Sequence, residues 1–253
     1  ALGGTFVYGL LAQAGNAINP HIAAELGKGG VGDAAERLRP YLVAPTRVFA
    51  ALSATFLSVL AFAVPPLVQL WLPQYTPGIP AFLFYIPGFF FLSIALTAGN
   101  ILNGVLILRK KQRYLIYIQM LAVLVEIVFS FLLVWAGLGL VGVALASTLS
   151  YLAYGLTTLM MASGYVIPRW QERSKFLLEV FAPLLFATIV VVGCYALGNV
   201  LMPGDALARA ALQLVIVSVL GASTLWVFRQ RIGIHDAVPV VRAALRRRFG
   251  SES

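Results

Sequence analysis

Residues 115–136 read LIYIQMLAVLVEIVFSFLLVWA, a run of 22 residues in which Glu126 is the only charged side chain. A helix that crosses a bilayer needs about 20 mostly apolar residues, so this run is long enough to span. Gly137-Leu138-Gly139 follows it, and a second apolar run continues from residue 139. Because glycine permits sharp turns and close helix approach, this stretch predicts two membrane helices joined by a very tight hairpin.

The composition of the whole chain supports the same environment. Hydrophobic residues make up 60% and charged residues 11% of the 253 residues, whereas soluble domains are nearer half apolar and a quarter charged. Such a chain has too little polar surface to cover a water-soluble globule, so we predict an all-α, polytopic transmembrane helix bundle of about seven spans. The predicted spans cover residues 2–19, 41–64, 80–108, 115–136, 139–163, 176–200 and 207–228.

Lysine and arginine residues are divided unevenly between the loops. If the seven spans alternate in direction, 17 of the 18 Lys and Arg residues fall on one side of the membrane, and only Arg209 falls on the other. Cytoplasmic loops carry an excess of these residues, so we assign that side, with the C-terminus, to the cytoplasmic face of the inner membrane. The 17 residues are Lys28, Arg37, Arg39, Arg47, Arg109, Lys110, Lys111, Arg113, Arg169, Arg173, Lys175, Arg229, Arg231, Arg242, Arg246, Arg247 and Arg248.

This distribution also accounts for the net charge of +9. In a soluble protein such a charge would suggest nucleic acid as a partner, but here the cations mark topology, and we expect no nucleic acid. The predicted organisation is a membrane bundle over residues 1–230 and a basic cytoplasmic tail over residues 231–253. The tail is either an amphipathic helix on anionic headgroups or a frayed basic end, and the sequence leaves both interpretations open.

The sequence contains no recognisable enzyme or metal motif. Residues 137–142 fit the pattern G-x-G-x-x-G, but dinucleotide binding also requires a preceding strand and a βαβ unit, and here an apolar run of membrane length precedes the glycines. His21 and His235 stand alone in loops, without a Cys cluster or an H-E-x-x-H motif. We therefore expect no enzyme activity, no metal and no cofactor.

Glu126 is the most informative single residue, because it lies in the middle of its apolar run. A lone carboxylate there is costly if it faces lipid as an ion. Gln119, Glu126 and Ser130 share one helix face with Gln112, as their spacing requires, so this face is predicted to point into the bundle. Glu126 is either a site for substrate or for coupled H⁺ or Na⁺, or a protonated carboxyl that hydrogen-bonds to a neighbouring helix.

Two other runs carry polar stripes at helical spacing. Such stripes can line a wet cavity or hold helices together, and the sequence does not decide between these uses. Arg47, near the cytoplasmic mouth of the second span, either attracts a phosphate group or anchors the helix at the interface. The remaining candidates for a substrate cavity or ion-coupling site are Thr97, Asn100 and Asn103 of the third span, and Tyr151 and Tyr154 of the fifth.

Three motifs, in this order and spacing, resemble one family of membrane proteins. They are Asn19-Pro20-His21-Ile22 followed by Gly32-Asp33, then WLPQYTPG at residues 71–78, then GLGLVGVALAST at residues 137–148. Together they resemble the C-terminal half of oligosaccharide (polysaccharide or O-antigen) flippases, within the superfamily of multidrug, oligosaccharidyl-lipid and polysaccharide exporters. The resemblance covers nearly the whole chain.

The resemblance implies a fold and an activity beyond what composition indicates. Members of this family have two pseudosymmetric bundles of six or seven helices around a central cavity. They translocate a polyprenyl-diphosphate-linked oligosaccharide between leaflets by alternating access. On this basis the chain would supply one bundle for polysaccharide or lipopolysaccharide biosynthesis, with a missing N-terminal bundle of the same protein and the lipid-linked oligosaccharide as its partners.

Other functions remain open at this stage. A drug/cation antiporter or a peptidoglycan-precursor flippase of the same superfamily fits the same features. A membrane-embedded glycan polymerase or ligase is a second alternative, although the predicted outer loops are short and hold only Asp205 as an acidic group. A non-transporting assembly subunit is a third.

Overall fold

The computed structural model describes residues 19–27 and 34–201, together with positions 213, 215, 216, 218, 219 and 221. Within these residues the chain is helical and contains no strand, which confirms the predicted all-α class. Apart from Asn19, the predicted first span lies outside the described residues, as does the tail 231–253. The elements are α1 (Asn19–Gly27), α2 (Ala34–Trp71), a 3₁₀ turn (Pro73–Gly78), α3 (Ile79–Leu108), α4 (Arg113–Leu133), a π-helical segment (Val134–Leu138), α5 (Gly139–Val166) and α6 (Trp170–Leu201).

Four helical segments are long and apolar enough to cross a membrane, which fits a membrane-embedded protein. They are Ala34–Trp71, Pro73–Leu108, Arg113–Val166 and Trp170–Ala196. The third contains both α4 and α5. Gly137 and Gly139, with φ of 85° and 50°, lie in the left-handed region at the junction of these two helices, where glycine carries no Cβ penalty.

Contacts across this junction show that α4 and α5 run antiparallel. Ser147 lies against Glu126, and Gly142 lies against Leu133, so residue numbers fall along one helix as they rise along the other. A Cβ added at Gly142 would lie only 3.0 Å from the Leu133 carbonyl carbon. The predicted tight hairpin with close helix approach is confirmed.

The other helix pairs show that direction alternates along the chain. Helices α2 and α6 are parallel, because Arg39 pairs with Glu172 near their starts while Ala61 contacts Tyr195 farther along both. Helices α3 and α5 are also parallel, since Tyr85 contacts Tyr151 and Gly99 lies near Thr158.

The helical positions between 213 and 221 continue this alternation. Gln213 bonds to Cys194 near the far end of α6, whereas Gly221 lies against Thr55, nearer the start of α2. The segment therefore runs antiparallel to α2 and α6.

All ten Lys and Arg residues in the described part of the chain belong to one end of this bundle. The starts of α2, α4 and α6 and the ends of α3 and α5 meet there, and Ala34, Leu108 and Tyr165 of three different helices line one recess. At the opposite end, residues 71–79 and 134–139 contain no charged side chain. We refer to the two as the cationic end and the uncharged end.

Helices α3 and α4 differ sharply in the burial of their side chains. Phe90, Ile94 and Leu102 of α3 are fully buried, whereas Ile118 is the only buried residue of α4. Exposed aromatic residues mark both ends of α4: Tyr117 and Trp135 lie 18 residues apart, or about 27 Å at the α-helical rise. Aromatic residues favour membrane interfaces, and this distance matches a hydrocarbon core of about 30 Å.

Helix α2 extends beyond the predicted span. The predicted second span ends at residue 64, directly before the helix-breaking pair Pro65-Pro66, but α2 continues to Trp71. Proline at position 65 cannot donate a backbone hydrogen bond to the carbonyl of Ala61. The Tyr195 hydroxyl of α6 donates to this carbonyl instead, at 3.2 Å. A neighbouring helix thus replaces the missing bond, as it can in a membrane bundle.

Candidate functional site

Glu126 lies nine residues from both Tyr117 and Trp135, at the centre of α4. It is half-buried and faces α5, where its Oε1 accepts a hydrogen bond of 2.9 Å from the Ser147 hydroxyl. A carboxyl group at this depth requires a partner, and α5 supplies one. The apolar residues on the other faces of α4, including Leu124 and Ile127, are exposed.

Helix α5 makes polar contacts in two directions around Ser147. Ser150 donates to the carbonyl of Ala122 in α4 at 2.8 Å, and Thr148 donates to the carbonyl of Phe84 in α3 at 2.7 Å. The hydroxyls of Tyr151 and Tyr85 are hydrogen-bonded at 3.0 Å. We call Tyr85, Glu126, Ser147, Thr148, Ser150 and Tyr151 the polar cluster.

Close packing surrounds the polar cluster. A Cβ added at Gly88 of α3 would lie 3.0 Å from the Tyr151 ring and 3.1 Å from the Thr148 hydroxyl oxygen. Glycine at this position lets α3 approach α5 closely enough for the hydrogen bonds to form. The hydroxyl groups of Ser147, Thr148 and Ser150 therefore hold helices together here.

The remaining predicted residues occupy three different settings. Thr97 is buried and donates to the carbonyl of Ile94 in its own helix, at 2.9 Å. Asn100 and Tyr154 are half-buried, and each interacts with other residues. Gln119 and Asn103 are exposed, and Ser130 is half-buried.

Two of the predicted residues thus belong to the polar cluster. Glu126 of α4 contacts Ser147 on one side of α5. Tyr151 of α5, one helix turn farther along, faces α3 together with Thr148. The prediction that Gln119 points into the bundle with Glu126 is wrong for the described residues: Gln119 is exposed, as is Asn103, because α4 is covered mainly by α5.

Arg47 has a partner that the sequence analysis did not foresee. Its guanidinium group forms an ion pair with the Glu179 carboxylate of α6. Two helix turns closer to the cationic end, Arg39 pairs with Glu172 at 2.7 Å. The sequence does contain a pattern for these two ion pairs, because residues 172 and 179 are two helix turns apart and share one face.

Tyr85 was not predicted either. It lies in an apolar run, where the sequence does not distinguish a tyrosine with a functional hydroxyl from an aromatic residue of the core. Its ring packs edge-on against Phe89 with centroids 4.7 Å apart, while its hydroxyl reaches Tyr151. Tyrosine can combine an apolar body with a polar tip in this way.

The chemistry available in the polar cluster is proton exchange and hydrogen bonding. Glu126 supplies a carboxyl group that can change charge, and the hydroxyl groups can donate to or accept from it. The described residues include no group of three or more His, Cys, Asp or Glu side chains placed to hold a metal ion. No family model, curated protein or solved structure matches this chain.

Proposed function

We propose that this chain is one helix bundle of a membrane transporter, the C-terminal half of an oligosaccharide flippase. It would move a polyprenyl-diphosphate-linked oligosaccharide across the cytoplasmic membrane by alternating access, for polysaccharide biosynthesis. The observation that carries the proposal is Glu126, a carboxyl group at mid-depth of an apolar helix, in contact with hydroxyl groups of a neighbouring helix. Intramembrane ionisable residues commonly mark transport or proton pathways.

The topology is proposed on the same basis. Alternating helix directions and ten cations at one end support about seven spans with the cationic end in the cytoplasm. The segment between Gln213 and Gly221 runs back toward the cationic end, as the proposed last span requires. The C-terminus is then cytoplasmic.

In this proposal Glu126 couples transport to H⁺ or Na⁺. Its contact with Ser147 connects α4 to α5, and α5 contacts α3 through Thr148 and Tyr151. A change of charge at Glu126 would alter the strength of the α4–α5 contact, because a hydrogen bond to an ionised carboxylate is roughly twice as strong as one between neutral groups.

A reconstitution assay tests the proposal. The full-length protein that contains this chain is placed in proteoliposomes with a polyprenyl-diphosphate-linked oligosaccharide in both leaflets, and an impermeant glycosidase is added outside. Without transport only the outer half of the glycan is cleaved. We expect cleavage to proceed to completion with the wild-type protein, and to slow about tenfold or more in Glu126→Gln, because glutamine cannot bind or release a proton or bind a cation as a carboxylate does.

Glu36→Gln provides a matched control, because Glu36 is an exposed carboxylate at the cationic end. This variant should flip at the wild-type rate. Transport by Glu126→Gln at the wild-type rate over the whole pH range would contradict the coupling role. Transport of an organic cation in place of the lipid-linked glycan would favour an antiporter, and glycan-bond formation by the purified protein would favour a membrane enzyme.

A further inference from the structure

The turn between α3 and α4 contains four cations, Arg109, Lys110, Lys111 and Arg113, which we call the basic turn. Backbone hydrogen bonds fix its shape: Lys111 N donates to Leu106 O at 2.8 Å, and Lys110 N donates to Ile107 O at 3.0 Å. This is the arrangement that usually closes a helix with glycine. Lys110 occupies the glycine position, with φ of 55°.

A lysine at this position carries a conformational penalty that glycine would avoid. Strained backbone positions occur mainly where function requires a particular side chain. Lys110 thus places a fourth cation in the turn at a position where the fold alone would favour glycine, which marks the whole turn as a candidate functional site.

The basic turn also differs in its pairing from Arg39, Arg47 and Arg169. Arg39 and Arg169 pair with Glu172, and Arg47 pairs with Glu179. Within the described residues, no ion pair includes a cation of the basic turn, and all four of its side chains are exposed. Two acidic side chains therefore offset part of the charge carried at the cationic end of α2 and α6, where Arg37, Arg173 and Lys175 also lie outside these ion pairs, whereas none in the described part of the chain offsets the four cations of the α3–α4 turn.

Arg109 is held in a defined orientation. Its guanidinium group lies over the Tyr165 ring at 4.6 Å from the centroid, a favourable cation–π distance. Beside it is a recess of about 20 Å³, lined by Ala34, Ala35, Val105, Leu108, Arg109 and Tyr165. Its lining is mostly apolar and includes one cation, Arg109.

We propose that the basic turn binds the headgroup phosphate of an anionic phospholipid, with Arg109 and Lys111 as the main contacts. The depth fits, because Tyr117, the aromatic interface residue of α4, lies one helix turn from Arg113. Basic pockets between helix ends on the cytoplasmic side bind anionic headgroups. This site is independent of the solute that the helices transport.

Native mass spectrometry of the full-length protein, released from micelles with either phosphatidylglycerol or phosphatidylcholine, tests the site. We expect phosphatidylglycerol adducts to persist on the wild-type protein and their affinity to fall about tenfold or more in the double variant Arg109→Gln/Lys111→Gln, since each cation near the surface contributes about fivefold. Phosphatidylcholine binding should be unchanged.

The matched control is Arg169→Gln/Lys175→Gln, which removes the same charge from the same end of the bundle. It should lower phosphatidylglycerol affinity by about twofold at most. Equal losses in the two double variants would overturn the proposal, because binding would then depend on total charge rather than on a site. Displacement of the lipid from the wild-type protein by millimolar inorganic phosphate would also overturn the proposal, because the turn would then be a site for soluble anions.

The variant Tyr165→Leu tests the orientation of Arg109 separately from the charge of the basic turn. It keeps all four cations but removes the ring under Arg109. We expect an intermediate loss of phosphatidylglycerol affinity of about threefold, given the strength of a surface cation–π contact. An unchanged affinity, in a variant that elutes as a folded protein, would contradict the role of the Arg109–Tyr165 contact.

Discussion

Helix α5 packs against α3 on one side and against α4 on the other, and the two interfaces are built differently. The α3 interface relies on steric fit: Gly155 approaches the backbone of Phe91 so closely that a Cβ would lie 2.5 Å from its carbonyl oxygen. The α4 interface relies on hydroxyl groups, with Ser147 and Ser150 bonding to α4. The two means are not exclusive, because Thr148 and Tyr151 also bond to α3 and Gly142 also lies close to α4. The interfaces therefore combine close packing and hydrogen bonds in different proportions, with the closest backbone approach on the α3 side.

The difference shows how an apolar membrane helix can serve as core or as periphery. Both α3 and α4 are rich in large apolar residues, but those of α3 are buried in protein while those of α4 are exposed along most of its faces. Lipid tails are as apolar as leucine side chains, so hydrophobicity alone does not distinguish these positions. What distinguishes buried positions from exposed ones is the presence of small residues where helices make contact.

The largest expected effect distinguishes core from periphery. Leu102 of α3 is fully buried, whereas Leu124 of α4 is 59% exposed. Leu102→Ala leaves a cavity and should lower the free energy of unfolding by about 3 kcal/mol. Leu124→Ala is the matched control and should change it by less than about 0.5 kcal/mol. Unfolding by SDS in mixed micelles measures both, and similar losses would contradict the core position of α3.

The second prediction concerns the steric interface. Gly155→Ala places a methyl group against the Phe91 backbone and should lower the free energy of unfolding by about 2 kcal/mol, because the helices must separate. Gly193→Ala in α6 meets nothing within 4 Å and should be neutral or slightly stabilising. The same unfolding titration compares the two. An equally tolerant Gly155 would show that α3 and α5 do not pack this closely.

The third prediction concerns the hydrogen-bonded interface. A double-mutant cycle with Ser147→Ala and Glu126→Leu, neither of which can form the bond, should give a coupling energy of about 1 kcal/mol, the usual size for hydrogen bonds between membrane helices. Ser147→Ala with Ser130→Ala provides the reference pair. Additive effects of Ser147→Ala and Glu126→Leu would mean that the two side chains do not interact in the folded protein.

The smallest expected effect lies outside both interfaces. Lys110→Gly relieves the left-handed backbone of the α3–α4 turn and should raise the free energy of unfolding by somewhat under about 1 kcal/mol. Lys111→Gly, one residue later, has no such backbone to relieve and should not stabilise. A loss of stability in Lys110→Gly would show that the side chain contributes more to the turn than its conformation costs.

Local features of this fold were accessible from the sequence. The hairpin at residues 137–139 follows from two glycines between apolar runs, and both adopt positive φ. Periodicity placed Glu126 on a face that meets another helix, and it does meet α5. These features depend on neighbouring residues, so short-range rules suffice for them.

Contacts between distant helices were not accessible. Arg47 and Glu179 are separated by 132 residues, and no local pattern states that α2 lies beside α6. The proline pair gave the wrong end for α2 for the same reason, because the group that restores the bond belongs to Tyr195. The polar stripes were compatible with either a wet cavity or contacts between helices. Only the close packing at Gly88 and Gly142 shows that hydroxyl groups hold helices together there.

The bond from Tyr195 to Ala61 also bears on how the chain is made. Synthesis proceeds from the N-terminus, so the ribosome adds 134 residues between the acceptor and its donor. Over that interval the Ala61 carbonyl lacks its final partner, and an unsatisfied carbonyl in hydrocarbon is costly. The part of α2 near the uncharged end therefore gains this hydrogen bond only after α6 has been synthesised.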